Sequence, residues 1–196
     1  MSEFTLDPRT TALVVIDLQR GIVATPTVPH ASADVIARAS DLARHFRSRQ
    51  SLVVLVRVDP GPGGILFPRP ITDIERPRIN PGPDWAEILP ELGPEAADVV
   101  VTKHHPGAFN GTDLDIQLRR RGIQTIVLCG IATNIGVEAT ARVGFEQGYN
   151  LVFAEDAMTA RDAELHNVSV SKFFPTIGRV RRATEIAQAL AVSSSS

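Results

Sequence analysis

The chain has one cysteine among its 196 residues, so no intrachain disulfide framework can hold it together. It has no strong excess of either charge. Its 20 Lys and Arg against 22 Asp and Glu leave a formal charge of −2, which supplies no electrostatic reason to seek nucleic acid or an anionic membrane. No apolar stretch approaches membrane-spanning length, and the opening MSEFTLDPRT has no basic region leading into an apolar run, so a cytoplasmic location is expected. Internal repeats are absent. The low-complexity part is the Ser193 to Ser196 tail, and residues 192–196 are expected to be disordered. His104 and His105 stand side by side without metal-ligand spacing to any other His, Cys or carboxylate cluster, so each reads as a structural residue or a substrate hydrogen-bonding group, and no cofactor is expected. With 43% hydrophobic residues, a single domain over 1–196 is long enough to bury a core unaided.

What the sequence does contain is a series of short apolar runs bounded by turn residues. Thr11 to Ile16 (TALVVI), Ser51 to Val58 (SLVVLVRV), Asp98 to Thr102 (DVVVT), Thr125 to Cys129 (TIVLC) and Asn150 to Ala154 read as strands, with a short last one near Ile177 to Val180. Runs without polar alternation suit strands covered on both faces of a parallel sheet. Between them, Val35, Ile36, Ala39, Leu42, Ala43 and Phe46 form a helical stripe over Ala33 to Arg49, with Ser32 as its N-cap. Thr112 is expected to cap a helix ending at Arg121, with Gly122 as the stop; Asp113 and Asp115 at its start and Arg119-Arg120-Arg121 at its end follow helix-dipole logic rather than nucleic-acid binding. Further helices are expected around Ala163 to Phe173 and from Thr184 to Ala191. The order predicts an α/β fold, Rossmann-like, with a mostly parallel sheet of about six strands between two helical layers.

One connection does not fit the short-loop pattern. Residues 59–94 carry Gly61-Pro62-Gly63-Gly64, Pro68, Pro70, Pro77, Pro81-Gly82-Pro83, Pro90 and Pro94, and so large an irregular segment is usually a lid, a binding loop or an oligomer contact. Ile65, Leu66, Phe67, Ile71, Ile74, Trp85, Ile88 and Leu89 offer it apolar anchors that a plain linker would lack.

In open parallel sheets ligands bind beyond the carboxyl ends of the strands. Three predicted strand ends therefore stand out. Asp17, in Asp17-Leu18-Gln19-Arg20, either caps a turn or projects into the crevice; Lys103 follows the DVVVT strand; and Arg57 is either a rim residue in an ion pair or a grip for a substrate carboxylate. The stretch from Gln124 to Arg142 adds a strand that Gly130 is expected to break, then a helix starting near Asn134 or Ile135, with Thr133 and Asn134 of N-cap type. A helix start at that point presents free N–H groups and a positive dipole end to the crevice.

These three regions resemble the isochorismatase-like hydrolase family, over about Arg9 to Leu190. Its cysteine-using members carry Gly-x-Ala-Thr-Asn-x-Cys at this turn; Gly130, Ala132, Thr133 and Asn134 match, and Gly136 stands where the nucleophilic cysteine would be. The Asp of an IDLQ-like first strand end and a Lys followed by an aromatic and Gly-Thr-Asp-Leu are matched by Asp17, Lys103, Phe109 and Gly111 to Leu114. The resemblance implies that Asp17 is the catalytic acid/base, Lys103 its partner and Phe109 a pocket wall. Gln19, Arg57, His105, Ile131, Ala132, Thr133 and Gly136 are the further residues expected to contact substrate; the resemblance implies that the Ile131–Ala132 peptide is cis and, together with the apolar residues of the long connection, that the protein is a homo-oligomer. Metal-using amidases of the family carry Asp-x-His after the second strand, where this chain reads Asp59-Pro60. True isochorismatases also have Gly at the nucleophile position and cleave a vinyl ether without a covalent intermediate. Three functions follow: a non-covalent hydrolase of a small metabolite through Asp17 and Lys103, an amidase-type hydrolase with another nucleophile, or a binding or scaffold protein without activity.

Overall fold

The computed structural model describes residues 4–74 and 81–190. The expected disorder at 192–196 lies outside the described residues, as does Pro77 of the long connection. Strands β1 (Thr11–Ile16), β2 (Leu52–Val58), β3 (Val99–Lys103), β4 (Thr125–Ile131), β5 (Asn150–Thr159) and β6 (Arg179–Arg181) form one sheet in the order β3-β2-β1-β4-β5-β6. Every neighbouring pair is parallel. The sheet is therefore laid down outward from β1 in one direction as far as β3, and then restarts on the other side of β1 with β4. That reversal makes the carboxyl ends of β1 and β4 the switch point at which doubly wound sheets take their ligands.

The apolar runs are buried on both faces, which is why they lack alternation. Leu13, Val15, Val53, Leu55, Val127 and Cys129 point to one side, against α2 (Ser32–Ser48) and α7 (Ala183–Ala189). Val14, Ile16, Val54, Val56, Ile126 and Leu128 point to the other, against α3 (Leu114–Arg119), α4 (Glu138–Glu146) and α6 (Phe174–Ile177). Each fully buried Leu, Ile or Val contributes about 1.5–3 kcal/mol by leaving water, so the two layers of apolar side chains fix the sheet as the middle of the molecule.

Several local expectations are corrected. Gly130 does not break β4, which continues through it to Ile131. Its φ is 116°, and a Cβ there would lie 2.0 Å from the Ile16 carbonyl oxygen, so the glycine lets β4 stay close to β1 rather than ending it. β5 does not stop at Ala154; a register shift against β4 carries it through the polar pair Glu155-Asp156, which had masked the continuation. Ser32 lies inside α2, with Ala31 at the cap position, and its hydroxyl meets Thr27 at 3.0 Å. The helix after Asp162 is not continuous to Phe173: α5 (Ala163–Val168) passes into a π-helical turn, Ser169–Phe173, before α6. Asp162 caps α5 by accepting from the Glu164 and Leu165 N–H groups at 2.8 and 3.1 Å.

The long connection is anchored by its second half. The Arg20 and Gly21 N–H groups donate to Glu87 and Trp85 carbonyls at 2.9 Å each, Leu89 N–H donates to Leu18 at 3.2 Å, and Gln19 forms an antiparallel bridge with Ile88. Residues 85–89 are thus laid beside the segment that leaves Asp17, while Ile65, Leu66, Ile71 and Ile74 are 44% to 105% exposed.

Candidate active site

Asp17 is the first residue past β1 and adopts a left-handed backbone, φ 54°, with its N–H held by the Val56 carbonyl at 2.9 Å. An aspartate tolerates that conformation better than most residues. Lys103 is the last residue of β3, two strands away, and shares the α3/α4 side of the sheet with Val99 and Val101. Its side chain crosses the end of β2 and places Nζ 2.8 Å from Asp17 Oδ2. A second bond goes from Nζ to the Pro106 carbonyl at 2.5 Å. The pair is almost fully enclosed: Lys103 is 1% exposed and Asp17 5%.

Enclosure decides the carboxyl's acidity. Removal from water raises the Asp17 pKa to about 6 and outweighs the lysine, whose charge and hydrogen bond both pull it down. Oδ1 is buried and has no hydrogen-bond partner. The carboxyl therefore has one oxygen engaged and one available to hold a proton or receive one.

The third wall is the turn after β4. The Ile131–Ala132 peptide is cis, in agreement with the expectation, and the chain then enters a π-helical turn, Thr133–Val137, that leads into α4. The helix starts at Thr133, earlier than expected, with Ala132 at the cap position and no side chain capping it. Gly136 is buried in this turn with its missing side chain aimed at the pair: a Cβ there would be 3.2 Å from Asp17 Oδ2 and 3.4 Å from Lys103 Nζ, but only 2.9 Å from Ile16 Cγ2.

The other predicted contacts divide. Asp17, Lys103 and Gly136 come together; Ile131 is in the core and Ala132 half-buried beside it. Gln19 is a correction. It is fully buried with both ends of its amide on the Val58 backbone, at 2.9 Å to the carbonyl and 2.7 Å from the N–H, so it ties β2 to the segment after Asp17 and has no free edge for substrate. Arg57 has the parity of Val53 and Leu55, which places it on the face opposite Lys103; it donates to Thr102 Oγ1 at 2.9 Å beside a shallow groove formed with Glu87, Ile88, Pro94 and Val100. It does not reach the pair. Phe109 is in the core, stacked on Tyr149 with ring centres 5.9 Å apart, and His105 is exposed near Gly111. Thr133 is not a cap: its hydroxyl meets His166 Nδ1 at 2.8 Å.

That Thr133–His166 contact has the form of a nucleophile and its base, yet its surroundings argue against the role. Thr133 is 0% exposed, and burial with the neighbouring His30 pushes the His166 pKa down to about 4, making a weak base. It braces the turn instead. No local pattern could have revealed it, because 33 positions separate the partners. Cys129 is equally unsuited to chemistry. It lies on the α2/α7 face, away from Lys103, and burial pushes its thiol up to about 12. Among the described residues, no group of three or more His, Cys, Asp or Glu could hold a metal ion, and no helix is long and apolar enough to cross a membrane.

A doubly wound parallel sheet with a buried carboxylate and ammonium at its switch point describes a class of small-molecule α/β enzymes. Comparison with known proteins narrows it. The isochorismatase domain matches residues 11–185, and the chain belongs to the isochorismatase family. It is 48% identical over 185 residues to the uncharacterized isochorismatase family protein YecD of Escherichia coli O157:H7, covering 94% of this chain and 98% of that one. A solved structure of an isochorismatase family protein from Burkholderia thailandensis is 46% identical with a TM-score of 0.91, covering 96% of this chain and 99% of the other. The chain is also 31% identical over 215 residues to the ureidoacrylate amidohydrolase RutB of Methylobacterium radiotolerans, covering 96% of this chain and 83% of that protein.

Proposed function

We propose that this isochorismatase-family hydrolase acts on a small metabolite by a non-covalent, water-based mechanism in which Asp17 and Lys103 are the catalytic pair and Gly136 occupies the nucleophile position of the cysteine-using members. The observation that carries the reading is the enclosed Asp17 carboxyl, raised to about 6, with one oxygen on Lys103, the other unpartnered, and a glycine facing both residues. A carboxyl with that pKa is a useful acid near neutral pH, whereas an ordinary aspartate is not. With a vinyl-ether substrate, protonated Asp17 delivers its proton to the terminal enol carbon, and the resulting oxocarbenium ion is attacked by water. The water's proton returns to Asp17. The hemiketal then releases the alcohol and a keto product. Lys103 orients Asp17 and meets anionic groups of the substrate.

An amidase-type reading is supported by the similarity to the ureidoacrylate amidohydrolase and by the Gly130-Ile131-Ala132-Thr133-Asn134 turn. With no side chain at Gly136, activated water would attack the carbonyl. A thiol installed there would first have to displace the Ile16 methyl. A small-molecule substrate, a cytoplasmic location and a homo-oligomer belong to the same proposal. The test is isochorismate turnover by wild type beside Asp17→Ala and Lys103→Ala, followed by pyruvate release with all three shown to be folded. Release by wild type alone is expected. Release of ammonia from ureidoacrylate instead, again lost in both variants, would favour the amidase reading; no turnover of either would favour a binding protein.

A further inference from the structure

Thr140 is buried, and its hydroxyl joins two walls of the site. Buried on α4, its Oγ1 donates to the Gly136 carbonyl at 2.7 Å and accepts from the Ala108 N–H at 3.1 Å. The first bond is the ordinary one for a threonine inside a helix, to the carbonyl four residues back. The second is not. It reaches across 32 positions to the segment that follows β3. Ala108 lies just beyond Pro106, whose carbonyl holds the Lys103 ammonium at 2.5 Å, and Gly107 between them lies against Ala139, where even a Cβ would come within 3.4 Å of backbone. Gly136, at the other end of the hydroxyl, is the residue whose open side faces Asp17 and Lys103.

We propose that Thr140 is a positioning residue: its hydroxyl clamps the Pro106–Ala108 segment to the Gly136 turn and thereby sets where the Lys103 ammonium stands relative to the Asp17 carboxyl. A lysine ammonium sits on a flexible stem and takes its place from the acceptors it meets. Here one acceptor is Asp17 itself, so the independent anchor is the Pro106 carbonyl. Without the hydroxyl, the Ala108 N–H and the Gly136 carbonyl lose a shared buried partner, and the segment carrying that anchor is free to shift. Thr140 matters to catalysis only if Asp17 and Lys103 are the acid–base pair proposed above; the placement of Lys103 can be read without turnover.

Lys103 is the one charged group within salt-bridge reach of Asp17 among the described residues. It pulls the Asp17 pKa down, so any retreat of the ammonium lets burial push the carboxyl higher. The experiment is a carbon-13 NMR titration of Asp17 Cγ in wild type, Thr140→Val and Thr140→Ser, with the resonance assigned by its loss in Asp17→Asn. In Thr140→Val the titration is expected to move upward by about half a pH unit or more, and Thr140→Ser, which keeps the hydroxyl, is expected to titrate as wild type. Thr140→Ala reads the same shift if the valine variant does not fold. Where wild type turns a substrate over, the valine variant is expected to lose about tenfold in kcat with KM within about twofold, the signature of an interaction made in the transition state. An unchanged Asp17 titration in a folded hydroxyl-less variant would overturn the proposal, as would an equal shift in Thr140→Ser. A shift in a protein that turns over nothing keeps Thr140 as the clamp and removes the hydrolase reading alone.

Discussion

At the scale of the residue, the chemistry rests on a contest between burial and a neighbouring charge at Asp17. Burial prevails, and the carboxyl rises from its ordinary 3.8 to about 6. A raised carboxyl favours folding most below its unfolded pKa and loses that contribution as pH climbs through its folded one, here between 3.8 and about 6. Lys103→Met keeps an apolar stem of similar length and removes both influences that lower the carboxyl. Its Asp17 is therefore expected to titrate above 6, extending the window upward. Compared with wild type, the variant is expected to be weakened more at pH 8 than at pH 5, by about 1.4 kcal/mol for each pH unit the carboxyl rises. Urea midpoints at the two pH values measure this; equal losses at both would show that the ammonium does not set the carboxyl's state. The same reasoning gives the proposed acid catalysis a rate that declines as pH rises through about 6.

At the scale of the element, the site depends on how closely β4 approaches β1 before turning into α4. Ile16 pairs with Gly130, whose φ is 116°, and a Cβ added there would lie 2.0 Å from the Ile16 carbonyl oxygen. A side chain meets both a disfavoured backbone conformation and a backbone oxygen that cannot turn away. Gly130→Ala is expected to destabilise by more than about 3 kcal/mol or to prevent folding, read from the urea midpoint or from loss of soluble protein. A variant of near wild-type stability would mean that β4 can shift outward from β1. Residues 85–89 act at the same scale, since their bonds to Leu18, Arg20 and Gly21 fix the chain that leaves Asp17.

At the scale of the whole molecule, the long connection is folded in one half and uncovered in the other. Trp85 and Ile88 are partly buried and Leu89 is buried, but Ile65 is 70% exposed, Ile71 105% and Ile74 81%. Isolated exposed apolar residues are ordinary; several on one loop are a reason to look for a partner surface. The homo-oligomer proposed above would cover them. Light scattering at micromolar concentration is expected to give a mass above 21.1 kDa, and substitution of Ile71 and Ile74 by Ser is expected to lower it. A wild-type mass of one chain would count against association through this loop.

The sequence by itself determined the strands, because a strand covered on both faces must be apolar throughout, and the turn residues at their ends showed where Asp17 and Lys103 leave the sheet. It also placed a strand-to-helix turn after β4, although Gly130 lies inside the strand and neither Thr133 nor Asn134 caps the helix. What it could not carry was the phase and direction of side chains past those ends. Arg57 and Lys103 both lie near strand ends, yet they point to opposite faces. Gln19 reads as a polar residue beside a crevice and is fully spent on the Val58 backbone; Phe109 reads as a pocket wall and stacks on Tyr149 in the core. Thr133 reads as a cap and binds His166, and nothing local marks Thr140, whose hydroxyl bridges two segments. Only the tertiary structure decided these, and with them the acidity of Asp17. Periodicity reports how deeply a residue is buried, whereas a hydrogen bond or a pKa depends on which atoms, remote in sequence, share that buried space.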